Sequence, residues 1–321
     1  MAANGRESMR IAVLAGGTSS EREISLASGA NAARALEQAG FGVVKLVDTG
    51  DSSFIDTLTG DSFDCAFLAL HGAMGEDGAM QGLLEVLRIP YTGSNVAASA
   101  CAADKELSKL LYARAGIPIA PSCAIERGND YDVDEIVKIV GGECFVKPAV
   151  NGSSYGISLV KDPSELSRAI EHAFEYGEKV LVERRVRGTE VTVGVFGDDA
   201  HLRALPIVEV CVQNEGAEYY DTSVKYIDPS KLHRIPAQIS PELYQRTEEL
   251  ACAAHRALGC LGISRSDFIV TPEGPVILET NTIPGMTDTS LYPDEIRHTS
   301  DLTFPEVCAG LVDMAIERAG A

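Results

Sequence analysis

The sequence predicts an α/β protein of two or three domains, and three observations carry that prediction. Residues 10–93 alternate short apolar runs with helix-length stretches, the order expected of a parallel sheet covered by helices. Residues 144–212 hold further strand-like runs (CFVKP, KVLVERRV, EVTVGVF and LRALPIVEVCV) broken by Gly/Ser turns and a helical segment. Residues 265–281 alternate polar and apolar side chains about a Pro-Glu-Gly step, the pattern of a hairpin. At 321 residues the chain is long enough for an ample core.

Composition narrows the functions. Hydrophobic content of 45% and charged content of 23% are those of a soluble globular protein, and no apolar run is long enough for a signal peptide or a membrane span. A net charge of −20 argues against nucleic acid, whose affinity comes from Lys and Arg on phosphates, so any anionic ligand must be held by local cations. The eight cysteines contain no Cys-x-x-Cys pair and the six histidines no zinc spacing. A reduced, cytoplasmic protein with buried, unreactive cysteines follows, with no membrane partner.

In chain order, Met1–Ser8 reads as an unpatterned, frayed tail with Met9 an alternative start, and IAVLA as the first strand. A Gly16-Gly17-Thr18-Ser19-Ser20 loop leads into a helix to about Ala39. Ser20 and Glu23 have capping-box spacing, which places Glu21 in the first helical turn at the mouth of a strand-loop-helix unit. Glu21 there either meets a ligand or complements the helix dipole. GVVKLVD, CAFLALHG, a helix through GLLEVLRI, and PYTG continue the series. His71 closes a strand ahead of the loop HGAMGEDG, where it is either a ligand contact or a partner for loop backbone.

One helix is predicted from Ser94 to Gly116, with Lys105 on it, followed by a Pro118/Pro121 connection. After the helix DVDEIVKIVGG, Lys147 ends a strand that faces the loop Asn151-Gly152-Ser153-Ser154-Tyr155-Gly156. Such a loop is either an ordinary turn or a phosphate cradle of N–H groups and hydroxyls with the lysine as countercharge. Glu190 follows the strand KVLVERRV, where ribose hydroxyls could be met. LRALPIVEVCV reads as one strand, and residues 214–231 as a long polar loop made functional by Tyr219, Tyr220 and Tyr226.

The hairpin carries the chemistry. A three-residue loop, Pro272-Glu273-Gly274, sets Asp267 opposite Glu279 and Arg265 opposite Asn281, all on one face, with Phe268, Val270, Val276 and Leu278 on the other. Two carboxylates and an amide beside Thr282-Ile283-Pro284-Gly285-Met286 form a hard-oxygen site suited to Mg²⁺ carrying nucleotide phosphates.

These blocks together resemble the D-alanine:D-alanine ligases of the ATP-grasp superfamily. LAGGTSSEREISL, LHGAMGEDGAMQGLLEVLRIPYTGS, DKELSKLL, VKPAVNGSSYG, VKY, SRSDF and LETNTIPGMTDTSL carry the resemblance, in family order over nearly the whole chain. It implies a three-domain ATP-grasp architecture: an N-terminal Rossmann-like parallel-sheet domain (1–93), a central ATP-grasp domain (94–186) and a C-terminal ATP-grasp domain with the metal and catalytic site (187–321), α+β in the ATP-binding part. It implies a cytoplasmic homodimer that makes a peptidoglycan precursor from ATP and two D-alanines, with two Mg²⁺ (or Mn²⁺). Lys105, Lys147 and Lys225 would hold phosphates; Glu183, Arg184, Val186 and Glu190 would meet adenine and ribose; Asp267, Glu279 and Asn281 would hold metal. Glu21, linked to Ser153 and Tyr226, would anchor the first substrate's ammonium near His71. Arg265 and the Gly285 N–H would form an oxyanion hole, with Ser290 and Leu291 at the second substrate's carboxylate.

The chain departs from the family at Ala149-Val150-Asn151, at Thr222-Ser223, and at Ser266 and Thr280, which are polar where an aliphatic residue is usual. Rival readings are the same chemistry with D-serine or D-lactate as acceptor, and a nucleotide-binding module without catalysis. Tyr226 favours D-alanine by the same resemblance.

Overall fold

β1 (Arg10–Ala15), α1 (Arg22–Gln38), β2 (Val43–Asp48), α2 (Phe54–Gly60), β3 (Cys65–Leu68) and α3 (Ala79–Leu87) build a parallel sheet in the order β2-β1-β3. The computed structural model describes residues 3–150, 155–211 and 233–320, so Ser153, Lys225 and Tyr226 lie outside the described residues. β1 is apolar at every position after Arg10 because both faces are covered. Ile11 and Val13 pack with Leu36 of α1, and Ala12 and Leu14 with Leu68 and Leu84 on the opposite side. The described part of the expected frayed tail, Ala3–Ser8, is a helical turn: Arg6 pairs with Asp313 at 2.5 Å and stacks on Phe41.

α4 (Val96–Ala103) and α5 (Lys105–Arg114) replace the single helix expected from Ser94 to Gly116. Asp104 breaks it, adopting extended backbone and accepting the N–H groups of Glu106 and Leu107 as the cap of α5. The break makes Lys105 the first residue of a helix, its own N–H bonded to the Ala149 carbonyl.

β4 (Ser122–Glu126), α6 (Val133–Val140), β5 (Cys144–Pro148), β6 (Ser158–Val160), α7 (Leu166–Phe174) and β7 (Lys179–Arg184) form a second unit, an antiparallel sheet ordered β4-β7-β5-β6 with both helices on one side. Asp132 caps α6, and Gly141, at φ +86°, ends it.

β8 (Thr189–Gly197), β9 (Arg203–Ala204), β10 (Val208–Val210), β11 (His233–Arg234), α8 (Pro241–Leu258), β12 (Gly262–Thr271), β13 (Gly274–Asn281), α9 (Leu291–Arg297) and α10 (Phe304–Gly320) complete the chain. LRALPIVEVCV is two strands rather than one, because Pro206 has no N–H for the ladder. The larger sheet runs β11-β10-β8-β12-β13, with β9 also on β8. Its buried face packs on α8, and Tyr112 and Ile117 from the α5 region join that cluster. α10 returns to the first sheet: Leu311 and Val312 share a cluster with Ile11 and Val13, and Arg318 donates to the Tyr91 and Gly93 carbonyls.

Ser266 and Thr280 face each other in the core, hydroxyl to hydroxyl at 2.7 Å, and the Tyr112 hydroxyl donates to Thr280 at 2.7 Å. Two polar departures from the aliphatic pattern are therefore one matched network, which satisfies groups that would be costly alone. All eight cysteines are free, and burial pushes the thiols of Cys65 and Cys260 up to about 12. Among the described residues no helix is long and apolar enough to cross a membrane.

Candidate active site

The hairpin reaches the predicted register by a different route. Thr271 pairs with Gly274, so the turn contains only Pro272 and Glu273, and pairing continues as Phe268 with Ile277. A β-bulge then shifts it by one, giving Asp267 opposite Glu279 and Arg265 opposite Asn281. A shorter turn plus one bulged residue sums to the offset of a three-residue loop. Between turn and bulge the sidedness differs from expectation: Ile277 is the fully buried residue, while Leu278 joins Glu279 on the cavity side. The functional face is thus an apolar shelf next to an acidic one.

That face borders a cavity of about 1040 Å³. Every described residue singled out from the sequence lines it: Glu21, His71, Lys105, Lys147, Glu183, Arg184, Val186, Glu190, Arg265, Asp267, Glu279, Asn281, Gly285, Ser290 and Leu291. The set comes from all three units, so each sheet presents one edge or face to the same space.

On the hairpin, Arg265 grips Asp267 with Nε and Nη2, each at 3.2 Å, and Thr192 on the neighbouring strand donates to the same carboxylate. Burial opposes the charged guanidinium, but Asp267 outweighs it and holds Arg265 above its ordinary range. Lys105 meets Glu279 at 3.1 Å, and the Asn281 amide oxygen accepts the Ile283 N–H at 2.8 Å. Among the described residues no three His, Cys, Asp or Glu side chains converge as an ion site, and the third oxygen of the predicted set is an amide. Its donor chemistry nevertheless fits Mg²⁺: two carboxylates and an amide oxygen on one face, each carboxylate already beside a cation.

The side chain of Glu183, expected at adenine, is engaged within the protein. Its carboxylate is buried between two ammonium groups, Lys109 at one oxygen and Lys147 at the other, the latter at 2.7 Å. The Arg184 guanidinium donates to the Ile139 and Val140 carbonyls.

At the first sheet, Glu21 is itself the N-cap residue of α1 and makes no side-chain cap bond. The expected Ser20/Glu23 capping box does not form. Ser19 takes over, accepting the Glu21 N–H and donating to the His71 carbonyl at 2.7 Å. His71 lies three residues beyond β3 and is buried, with Nε2 3.0 Å from the Ser28 hydroxyl and Nδ1 3.5 Å from Glu76. Ser28 also accepts the Met286 N–H at 3.2 Å, so one hydroxyl ties the His71 ring to the 282–286 loop. Asn31 donates to the Met286 carbonyl, so α1 clasps the 282–286 loop by both groups of one peptide residue. Gly285 lies close to Ser290, where a Cβ would stand 2.9 Å from the hydroxyl.

Sequence reasoning missed Thr192, Lys109, Ser28 and Glu295. Lys109 could have been suspected from its place one helical turn after Lys105. Glu295 had no local signal: it is fully buried, accepts the Gly194 N–H at 3.0 Å, and burial pushes its carboxyl well above the usual range.

The comparisons agree with one another. Residues 111–313 match the family model described as "D-ala D-ala ligase C-terminus" and residues 54–94 that of "D-ala D-ala ligase N-terminus". A D-alanine–D-alanine ligase of Syntrophobacter fumaroxidans is 40% identical, with 97% of this chain and 99% of the relative covered. One of Anaeromyxobacter is 44% identical, covering 97% and 98%. Among solved structures, a D-alanine–D-alanine ligase of Bacillus anthracis superposes with a TM-score of 0.83 at 31% identity, over 98% of this chain and 99% of that one. A structure of the Bacillus anthracis enzyme complexed with ATP gives 0.81 at 28% identity, covering 98% and 99%.

Proposed function

Because the chain belongs to the D-alanine:D-alanine ligase family, we propose that it joins two D-alanines with ATP through a D-alanyl phosphate. A carboxylate oxygen of the first D-alanine attacks the γ-phosphorus, the bond to the β-phosphate oxygen breaks, and ADP leaves. The amine of the second D-alanine then attacks the acyl carbon, phosphate departs with its bridging oxygen, and the attacking nitrogen gives up a proton. The observation that carries this reading is the convergence of Lys105, Lys147, Arg265, Asp267, Glu279 and Gly285 on one cavity. Phosphoryl transfer needs charge and position rather than a covalent residue, and the cavity supplies both.

In this reading Lys105 and Lys147 face the phosphates, with Lys225 from the segment outside the described residues. Glu21 holds the first ammonium, with Ser153 and Tyr226, and His71 is fixed nearby by Ser28 and Glu76. Arg265 and the Gly285 N–H stabilise the oxyanion, while Ser290 and Leu291 receive the second carboxylate. Val186 and Glu190 border the adenine and ribose end. Asp267, Glu279 and Asn281 would hold two Mg²⁺ (or Mn²⁺), which supply positive charge to the phosphate oxygens.

The test is incubation with ATP, Mg²⁺ and D-alanine, following phosphate and dipeptide together. One dipeptide per phosphate is expected; phosphate without dipeptide, or no turnover, overturns the reading. Parallel reactions with D-serine and D-lactate as acceptors, expected to be slower, decide between the ligase variants.

A further inference from the structure

Lys109 lies on α5 one turn after Lys105 and behind the cavity wall: Lys105, Lys147 and Glu183 line the cavity and Lys109 does not. Lys109, Glu183 and Lys147 form a buried chain of three charges, with the carboxylate in the middle and one of its oxygens on each ammonium. Burial alone would raise the Glu183 carboxyl, but the two lysines hold it below its ordinary range, so the anion persists. Two cations against one anion leave one net positive charge in the chain. The neighbouring cations differ. Lys105 faces Glu279, and Lys179 is shared by Asp104 and Glu106, so neither leaves a net positive charge with the carboxylates named.

We propose that Lys109 is a positioning residue for the nucleotide: it neutralises Glu183 from behind, so that the Lys147 ammonium keeps its charge for the ATP phosphates. Without Lys109, the pair Lys147–Glu183 would be neutral and would meet phosphate only as a dipole. The proposal rests on the reading of Lys147 as a phosphate ligand.

The experiment measures equilibrium ATP binding and the KM values of the full chain. Lys109→Met should weaken ATP binding about tenfold or more, the scale of one lost charge-assisted interaction, while the KM for D-alanine moves by less than about twofold. Glu183 keeps Lys147 as partner in this variant, so the melting temperature should fall less than in Glu183→Ala, which strands both ammonium groups. The double variant Lys109→Met/Glu183→Gln also removes the anion that neutralises Lys147, restoring one net positive charge, and should recover ATP binding to within about threefold of the parent. Unchanged ATP binding in Lys109→Met, or a loss that the double variant does not recover, overturns the proposal. If Lys109→Met fails to fold, the double variant still decides: binding near the parent's supports the charge account, and binding weakened about tenfold or more overturns it. Lys147→Ala separates the two levels. If it binds ATP as the parent does, the phosphate reading itself fails; if it binds weakly while Lys109→Met does not, only the role of Lys109 fails.

Discussion

Two groups of ion pairs border the same cavity, and they differ in how much water they keep. On the hairpin, Asp267 and Glu279 are 22% and 41% exposed and are paired with Arg265 and Lys105. At the base of the cavity, Glu183 is 3% exposed and locked between Lys109 and Lys147. Carboxylates of the first kind can trade a protein cation for a ligand's metal ion, because water and neighbouring groups cover the exchange. A carboxylate of the second kind cannot, since moving it would strand a buried charge. The hairpin pairs are therefore exchangeable partners and the buried triad a fixed scaffold, although all are pairs of the same chemical groups.

Mutation can break that comparison. Asp267→Asn or Glu279→Gln should abolish ATP-dependent phosphate release with D-alanine while leaving the melting temperature nearly unchanged, and near-normal turnover would contradict the metal assignment. Arg265→Ala should lower kcat by roughly a hundredfold or more, as loss of an oxyanion donor does. A change confined to KM would argue that Arg265 binds without stabilising the transition state.

The scaffold should respond in the other direction. Glu183→Ala leaves two buried ammonium groups without their anion and should cost about 3–5 kcal/mol of stability, seen as a fall in melting temperature. Should that variant unfold at the parent's temperature, the triad is not a scaffold and its contrast with the hairpin disappears.

How far these two regions could be read from the sequence follows from the range of their interactions. The hairpin face was readable because its four side chains are set by alternation along two strands joined by a turn. Even there, the bulge beside Leu278 was invisible, since a shorter turn with one extra residue gives the same pairing at Asp267 and Arg265. The break at Asp104 was hidden because its neighbours are helix formers on both sides, and the cap needs only one side chain. The triad joins residues 109, 147 and 183, which no period connects. The partners of Ser28, Met286 and His71 likewise span more than two hundred positions.

A smaller effect separates ligand binding from helix structure at Glu21. Glu21 makes no side-chain cap bond, so Glu21→Gln should cost α1 little and should raise the KM for D-alanine by about tenfold, the scale of a bond to a charged group. The KM for ATP should move less. Equal rises would return Glu21 to the role of a charge near a helix end.

The smallest expected effect lies at an ion pair with water on both sides. Arg22 and Asp48 meet at 2.5 Å across the Gly16-Gly17 loop, with side chains 39% and 32% exposed. The Arg22 hydrogen bond, aided by the N–H groups of Gly50 and Gly17, holds the Asp48 carboxyl down at about 2. A carboxyl whose folded value is depressed contributes stability above its unfolded value, near 3.9, and that contribution disappears as the pH falls through about 2. Solvent screening limits it to about 1 kcal/mol. Denaturant unfolding of the parent and Asp48→Asn, each at pH 5 and pH 2, reads it directly: the parent should lose about 1 kcal/mol more than the variant across that interval. Equal losses would mean that the pair is geometry without energy, and that exposure of this order already suffices to erase what burial preserves at Glu183.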